Sequence, residues 1–192
     1  MSEASPAALS DEPAAENLGP PSQVLCLAIT MDSHRVTGEF RYQGASRRLV
    51  DILNSLDAGG VFPLYDARLL DAFGEAAPLG EFELVQVRRE AIILAELVGD
   101  DPVPPRPMEA VTKAAFPVTF TIPGYQVAGN AYLLPEADPV RAPFLTSKHF
   151  IPMTGVTITP VGAGCPARQS SLAILNLARA LFFAPSAPSA QR

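Results

Sequence analysis

The sequence predicts a mainly β fold with two tandem small β-barrel-like units, the first carrying one short α-helix, and disordered tails at both ends. The first observation is a diverged internal repeat: residues 33–41, around Gly38, return as residues 124–132, around Gly129, at an offset of 91. The second is the glycine itself, which lies within a strand-like alternating pattern and there usually marks a bulge, a sharp coil of the sheet or the close passage of another backbone. Because the strands of a small barrel must bend to close, its recurrence favours barrels over a flat sheet.

A second repeated block follows the first in the same order. Residues 62–69 match residues 151–158, and Pro63 corresponds to Pro152 at an offset of 89. Two separate blocks in one order indicate a duplicated unit. A weaker third correspondence, with a register uncertain by one residue, joins residues 89–94 to residues 178–183.

The repeat and the local composition together divide the chain. The N-terminal stretch is rich in Ala, Ser, Pro and Glu and has too few apolar residues to offset the entropy of ordering. The segment between the units is acidic and rich in proline, which is typical of a stiff linker. The predicted parts are a disordered tail (1–22), repeat 1 (23–99), a Pro-rich linker (100–114), repeat 2 (115–185) and a second disordered tail (186–192).

The first unit opens with a predicted β-hairpin, formed by residues 24–30 and by the alternating residues 36–42. Apolar residues at helical spacing follow between Ser46 and Leu56, so this segment predicts one short amphipathic helix with Ser46 as its N-cap. The corresponding segment of the second unit, residues 135–148, contains three prolines, which argue against a regular helix there.

Strands are predicted for the rest of each unit. Pro63 and Pro152 lack a backbone donor, so they are expected at the start of a strand or on a sheet edge. Residues 82–97 predict two strands about a polar turn. Residues 171–183 would by themselves also suit a helix, but their match to the first unit favours two strands. The bulky residues 181–183 predict a strand covered on both faces, at the contact between the units. An exposed patch for a partner is the alternative.

Charge and hydropathy exclude several function classes. A net charge of −6 argues against a general electrostatic grip on nucleic acid or anionic lipid, since both require clustered Lys and Arg. No apolar run is long enough for a membrane helix, and the acidic N-terminus is unlike a secretion signal. A cytoplasmic location is therefore expected.

The cysteines and histidines predict no metal site and no cofactor. Cys26 lies in an apolar strand pattern and is expected to be a buried small hydrophobe, whereas Cys165 is expected to be a loop thiol. A disulfide between them stays open as an alternative. His34 and His149 do not correspond between the units, so surface positions are expected for both.

One set of residues in the first unit, spread over residues 29–97, carries a resemblance to known proteins: Gly38, Arg48, Leu49, Asp51, Leu53, Asn54, Phe62, Leu64, Asp66, Ala67, Ile92 and Ile93. The unit resembles a small β-rich domain of bacterial proteins of unknown function, which has an R-L-S-D-x-L-N helix and an F-x-x-L-T-D-x-x-V strand. The second unit lacks that helix pattern and has Thr154-Gly155 in place of the Thr-Asp of the strand. The resemblance implies a compact, barrel-like module of Sm-like topology, and it transfers no activity.

The candidate surface or ligand cluster consists of four polar residues, Arg48, Asp51, Asn54 and Asp66. The first three recur every third residue on one helix face and could bind a ligand through a guanidinium, a carboxylate and an amide. The structural alternative pairs Arg48 with Asp51 and uses Asn54 to close the helix. Asp66 has no carboxylate or histidine beside it in the pattern, which favours a turn or capping role.

No nucleophile setting, nucleotide loop or metal-ligand spacing is present, so we predict no catalytic residue. The predicted function is a non-catalytic scaffold or adaptor that binds another protein, with homo-oligomerisation as a further option. The alternative is an Sm-like module that binds a small ligand or RNA. An enzyme is third, because it would need Asp51 or Asp66 to converge with His34 in a polar pocket.

Overall fold

A computed structural model describes residues 23–42, 48–56, 59–73, 77–99, 113–138, 141, 148–162 and 164–185. The predicted tails, most of the linker and the proposed cap Ser46 lie outside the described residues. The strands are β1 (Gln23–Thr30), β2 (His34–Tyr42), β3 (Val61–Asp71), β4 (Gly80–Arg88), β5 (Leu94–Leu97), β6 (Ala114–Ile122), β7 (Tyr125–Leu133), β8 (Phe150–Pro160), β9 (Arg168–Asn176) and β10 (Phe182–Pro185). The helix α1 spans Leu49–Ser55, and 3-10 turns span Arg89–Ala91 and Leu177–Arg179.

All ten strands belong to one antiparallel sheet, in the order β10-β6-β7-β8-β9-β5-β1-β2-β3-β4. The prediction of a mainly β fold with one short helix is confirmed, but the expectation of closed barrels is wrong, because this sheet does not close on itself. Closure of the first barrel would require β5 to pair with β4. Instead β5 pairs with β1 on one side and with β9 on the other, so β4 pairs with β3 alone among the described strands.

The first half (β1–β5) and the second half (β6–β10) have the same strand order. The fifth strand of each half pairs with its first strand in the same register: Thr30 lies opposite Leu94, and Thr121 lies opposite Phe182. A 3-10 turn separates the fourth and fifth strands in both halves. Since the turns begin at Arg89 and at Leu177, these two residues are equivalent. The sequence comparison paired Arg89 with Ala178 instead, so the third correspondence is shifted by one residue.

A β-bulge lies opposite the recurring glycine of each half, in the third strand rather than in the second. Two residues of β3, 66 and 67, oppose Gly38, and two residues of β8, 155 and 156, oppose Gly129. The first residue of each bulge, Asp66 or Gly155, has a positive φ, 48° and 58° respectively. Asp66 is the one described residue other than glycine with a positive φ, and its conformation follows from the bulge rather than from a capped turn.

The short helix and the proline-bearing strands are interior elements. Leu49, Val50 and Leu53 bury one face of α1 against the first core. Pro63 and Pro152 each stand third in their strands, β3 and β8. The alternative that these prolines mark sheet edges is therefore wrong, because the edges of the sheet are β4 and β10. Between 135 and 148, the residues that the structure describes form turns, and the others lie outside it.

Two apolar cores lie on the sheet, and each core takes side chains from both halves. Phe150 and Ile174 of the second half pack in the first core, while Ile93 and Leu94 of the first half pack in the second. Both faces of β5 are consequently buried. The expectation that residues 181–183 form the contact between the halves is wrong: their equivalents 93–95 form it.

Replacing the glycine at the first bulge should destabilise the fold. A Cβ at Gly38 would lie 2.8 Å from the carbonyl oxygen of Tyr65, which is backbone and cannot rotate away. We expect Gly38→Ala to lower the free energy of unfolding by about 1–3 kcal/mol, measured by urea denaturation. Gly129→Ala is the matched variant: its nearest contact is 3.1 Å, so a smaller loss is expected, and an equal or larger loss would contradict the explanation.

Candidate functional site

The contact between the halves centres on a buried carboxylate. Glu96 in β5 is 3% exposed. Arg168 in β9 donates to both of its oxygens, from Nε to Oε1 at 3.0 Å and from Nη2 to Oε2 at 2.8 Å. Arg35 in β2 approaches Oε2 to 3.5 Å. One acid thus joins three strands, and the fork of Arg168 fixes the position of β9 beside β5.

Burial and charge act in opposite directions on the two guanidinium groups. Burial lowers the pKa of Arg35, although the neighbouring Glu96 carboxylate opposes this shift. At Arg168 burial also favours the neutral form, but the hydrogen bonds and the negative charge of Glu96, together with Tyr125, outweigh burial and raise the pKa. Since Arg168 is the more strongly held cation, it is the principal partner of the acid.

Amide side chains add backbone contacts between the halves. Asn54 at the end of α1 accepts from the Phe150 N–H at 3.0 Å and donates to the Phe150 carbonyl at 2.9 Å. Asn176 at the end of β9 donates from its side chain to the Ile92 carbonyl at 2.8 Å. Both amides satisfy backbone groups that would otherwise lie unpaired where the two halves meet.

A second contact between the halves joins the segment after β3 to the first residue of β7. The rings of Phe73 and Tyr125 stack with centroids 5.3 Å apart, and the Tyr125 hydroxyl donates to the Ala72 carbonyl. Burial raises the pKa of Tyr125, which keeps the phenol protonated and able to donate. The Cys165 thiol donates to the Phe73 carbonyl at 2.7 Å.

A cleft of about 280 Å³ lies between α1 and the second half. Its floor includes the apolar residues Val50, Ala131 and Phe150, and three cations stand at its rim, Arg48, Lys113 and Lys148. Asp51 lies between two of them, 2.9 Å from Arg48 Nε and 3.9 Å from Lys148 Nζ. This arrangement could accept an anionic group above an apolar surface.

The structure brings together three of the four predicted site residues. Arg48 and Asp51 form the expected i,i+3 ion pair at the cleft. Asn54 lies on the same helix, where its amide donates to the Val50 carbonyl at 2.9 Å, and it also reaches β8. Asp66 is on a different part of the sheet, where it pairs with Arg41. Whether this cluster binds a ligand stays a prediction.

Sequence reasoning missed the cluster of Glu96, Arg168 and Arg35. A signal was present for the first, because Glu96 is the one charged residue between Ala91 and Val98, and a charge in a buried strand needs a partner. No comparable signal marked Arg168 or Arg35, since their partner lies in a distant part of the chain.

The cysteines and histidines take no part in a shared site. Cys26 is exposed, so the expectation of a buried hydrophobe is wrong. Both cysteines are free thiols. Within the described ranges, no group of three or more His, Cys, Asp or Glu side chains is arranged to hold a metal ion. Among the helices that the structure describes, none has the length and apolar character to cross a membrane.

The two edge strands carry exposed apolar side chains. Phe82 and Leu84 on β4 are 47% and 45% exposed, and Phe182 on β10 is 56% exposed. By contrast, the interior strands β5 and β9 are buried on both faces where they pair. Both outer edges of the sheet therefore combine unpaired backbone with apolar surface.

Removing the buried carboxylate should loosen the contact between the halves. Glu96→Ala leaves Arg168 buried without its counter-charge, so we expect the free energy of unfolding to fall by about 3–5 kcal/mol, measured by chemical denaturation. The matched control is Asp32→Ala, which removes a more exposed ion pair between the halves, that of Asp32 with Arg179. This control should cost no more than about 1 kcal/mol. Equal losses in the two variants would refute the central role of Glu96.

Comparison of the chain with known protein families, curated proteins and solved structures found no match. Its own geometry provides three features to which a function can be attached: a tightly bonded contact between the halves, a cleft with a cationic rim, and two open edges.

Proposed function

We propose that the protein is a non-catalytic scaffold or adaptor that binds another protein through the outer edges of its sheet. The observation that carries this proposal is the exposed apolar surface on both edge strands, formed by Phe82 and Leu84 on β4 and by Phe182 on β10. An unpaired strand offers backbone donors and acceptors to an incoming strand, and apolar side chains beside it add affinity.

Protection of these edges is limited, which supports the same proposal. Natural sheets usually cover their edges or place lysines and prolines along them. In β4, Gly80 to Arg88, there is neither a lysine nor a proline, and the charged residues Glu81 and Glu83 alternate with the exposed apolar ones, while Arg88 ends the strand. In β10 a proline occurs only at the last residue, Pro185. An edge that binds a partner must stay open in this way.

We also propose that each half is one copy of a duplicated, Sm-like unit, and that the two copies share a sheet instead of closing separately. Support comes from the common strand order, from the bulges opposite Gly38 and Gly129, and from the 3-10 turn before each fifth strand. The resemblance to a bacterial domain of unknown function, the domain boundaries and a cytoplasmic location are part of the same proposal.

Edge substitutions should abolish partner binding. In affinity purification with mass spectrometry, the double variant Leu84→Glu/Phe182→Glu should recover the partner of the wild-type bait at least about tenfold less well, because each charge would be buried by the incoming strand. Val24→Glu is the matched control, since Val24 is 42% exposed but lies on the interior strand β1. Circular dichroism would verify that all baits are folded. Undiminished recovery by the edge variant would refute the proposal.

The cleft favours a second candidate, a module that binds a small anionic ligand or RNA. Its support is the cationic rim of Arg48, Lys113 and Lys148 above an apolar floor. Against it stands the net charge of −6, which weakens any long-range attraction of a polyanion.

A direct binding measurement separates the two candidates. If the protein is an adaptor, a fluorescent single-stranded RNA should bind more weakly than about 100 µM at physiological salt. Tighter, saturable binding that is lost in Arg48→Glu/Lys148→Glu would favour the ligand-binding candidate. Arg68→Glu is the matched control, because Arg68 is also an exposed, ion-paired arginine but lies outside the cleft.

A further inference from the structure

We propose that the chain associates head to tail with copies of itself, with β10 of one copy adding to β4 of the next. The inference rests on the proposed function, since it uses the same two edges, and it names the occupant as a second copy of this chain. Its basis is the contact between the halves, which is already a contact between a fifth strand and a fourth strand.

Within one chain, the fifth strand of the first half pairs with the fourth strand of the second half. Leu94, Ala95 and Glu96 of β5 lie opposite Leu175, Ile174 and Ala173 of β9, respectively. Among the strands that the structure describes, β4 then pairs with β3 alone and β10 pairs with β6 alone, so one fourth strand and one fifth strand each keep an outer side. The two open edges are thus of the same two kinds as the edges that already bind each other.

The repeat converts this pairing into a register between copies. Residues of the fourth and fifth strands correspond between the halves at an offset of 88, as Arg89 and Leu177 show at the start of the 3-10 turns. Applied to the internal pairing, that offset places Phe182, Phe183 and Ala184 of one copy opposite Val87, Gln86 and Val85 of the next, respectively.

Burial at equivalent positions points to the same contact. Ile93 and Leu94 are both 0% exposed, because they pack in the core of the other half. Their equivalents in the second half, Leu181 and Phe182, are 66% and 56% exposed. Bulky apolar residues therefore occupy the same positions in both halves. Ile93 and Leu94 have the core of the other half to pack into, whereas Leu181 and Phe182 lack such a core. The first core of a second copy would provide one.

The receiving edge has a matching apolar side chain. Leu172 in β9 packs against the first core, across the contact between the halves. Its equivalent in β4 is Leu84, which is 45% exposed. Beside it, Gln86 is equivalent to Ile174, which is buried in the first core. Gln86 is thus a polar residue of β4 at a position where the contact within the chain has an apolar residue.

The contact between copies, β10 with β4, is the outer contact, and the contact within one chain, β5 with β9, is the inner contact. The outer contact lacks the ion pair that strengthens the inner one. The equivalents of Glu96 and Arg168 are Ala184 and Gly80, so pairing between copies buries no such charge and gains no charge-assisted hydrogen bond. The inner contact is permanent because it is within one chain, and the outer one is reversible. Since two different edges meet, each added copy presents the same two edges again, and growth continues until a ring closes.

The first test is sedimentation of the wild type and of two edge variants. The wild type should rise reversibly above its monomer mass of 20.3 kDa over about 1–100 µM. Phe182→Asp blocks β10 and Gln86→Glu blocks β4, and each alone should stay monomeric. Mixed together they should form a one-to-one dimer and nothing larger, since one intact β4 and one intact β10 remain. The exposed sites of both substitutions allow the monomer to fold.

Other results would overturn the inference. A wild type that stays monomeric across this range rejects it, and so does association that both variants retain. Failure of the mixture to form a dimer rejects pairing between unlike edges. If the wild type is monomeric but still recovers another protein through Leu84 and Phe182, self-association falls while the adaptor function stands. If the wild type associates with itself but recovers no other protein, the adaptor function falls while self-association stands.

Two further variants test the contact itself. Gln86→Ile restores the apolar residue of the internal contact and should strengthen association about tenfold. With Cys26→Ser and Cys165→Ala removing the natural thiols, Val85→Cys and Ala184→Cys on separate copies should form a disulfide under mild oxidation, because opposite residues lie within bridging distance. Glu83→Cys with Ala184→Cys, two residues out of register and at exposed positions, should not. Efficient cross-linking of the shifted pair, or weaker association of Gln86→Ile, would overturn the register.

Discussion

The pairing of β5 with β9 is the constraint on which the rest of the structure depends. It joins two five-stranded halves into one sheet, buries both faces of β5 and places Ile93 and Leu94 of one half in the core of the other. A half with so few residues would bury little apolar surface by itself. Sharing strands and core positions between the halves removes that limit, because each half completes the core of its neighbour.

The buried Glu96 determines how specific this pairing is. Taking a carboxylate out of water is costly unless its oxygens are satisfied. Arg168 satisfies them from the neighbouring strand, at 2.8 Å and 3.0 Å. A shift of β9 along β5 would break this pair, so the charge acts against incorrect registers in addition to any net stabilisation. The equivalent positions on the outer edges carry Ala184 in β10 and Gly80 in β4, so no such ion pair fixes those edges.

Local and long-range interactions differ in how well they could be predicted. Arg48 and Asp51 lie three residues apart on a helix, so their ion pair follows from helical geometry. Asn54 belongs to the same helix face, yet its amide binds the backbone of Phe150 in the other half. Asp66 has an unusual backbone conformation because it is the first residue of the bulge opposite Gly38. For both residues, the deciding neighbour is distant in sequence.

By itself the sequence determined the β class, the short helix, the bulges and the repetition of strands, because alternation, helical spacing and glycine placement act within a few residues. Tertiary structure alone decided that the sheet stays open, that β5 rather than β10 lies between the halves, and that Glu96 finds Arg168. The physical reason is that a fifth strand can bind any unpaired edge of suitable register. Which edge it reaches depends on the packing of both cores together, and no local pattern records that choice.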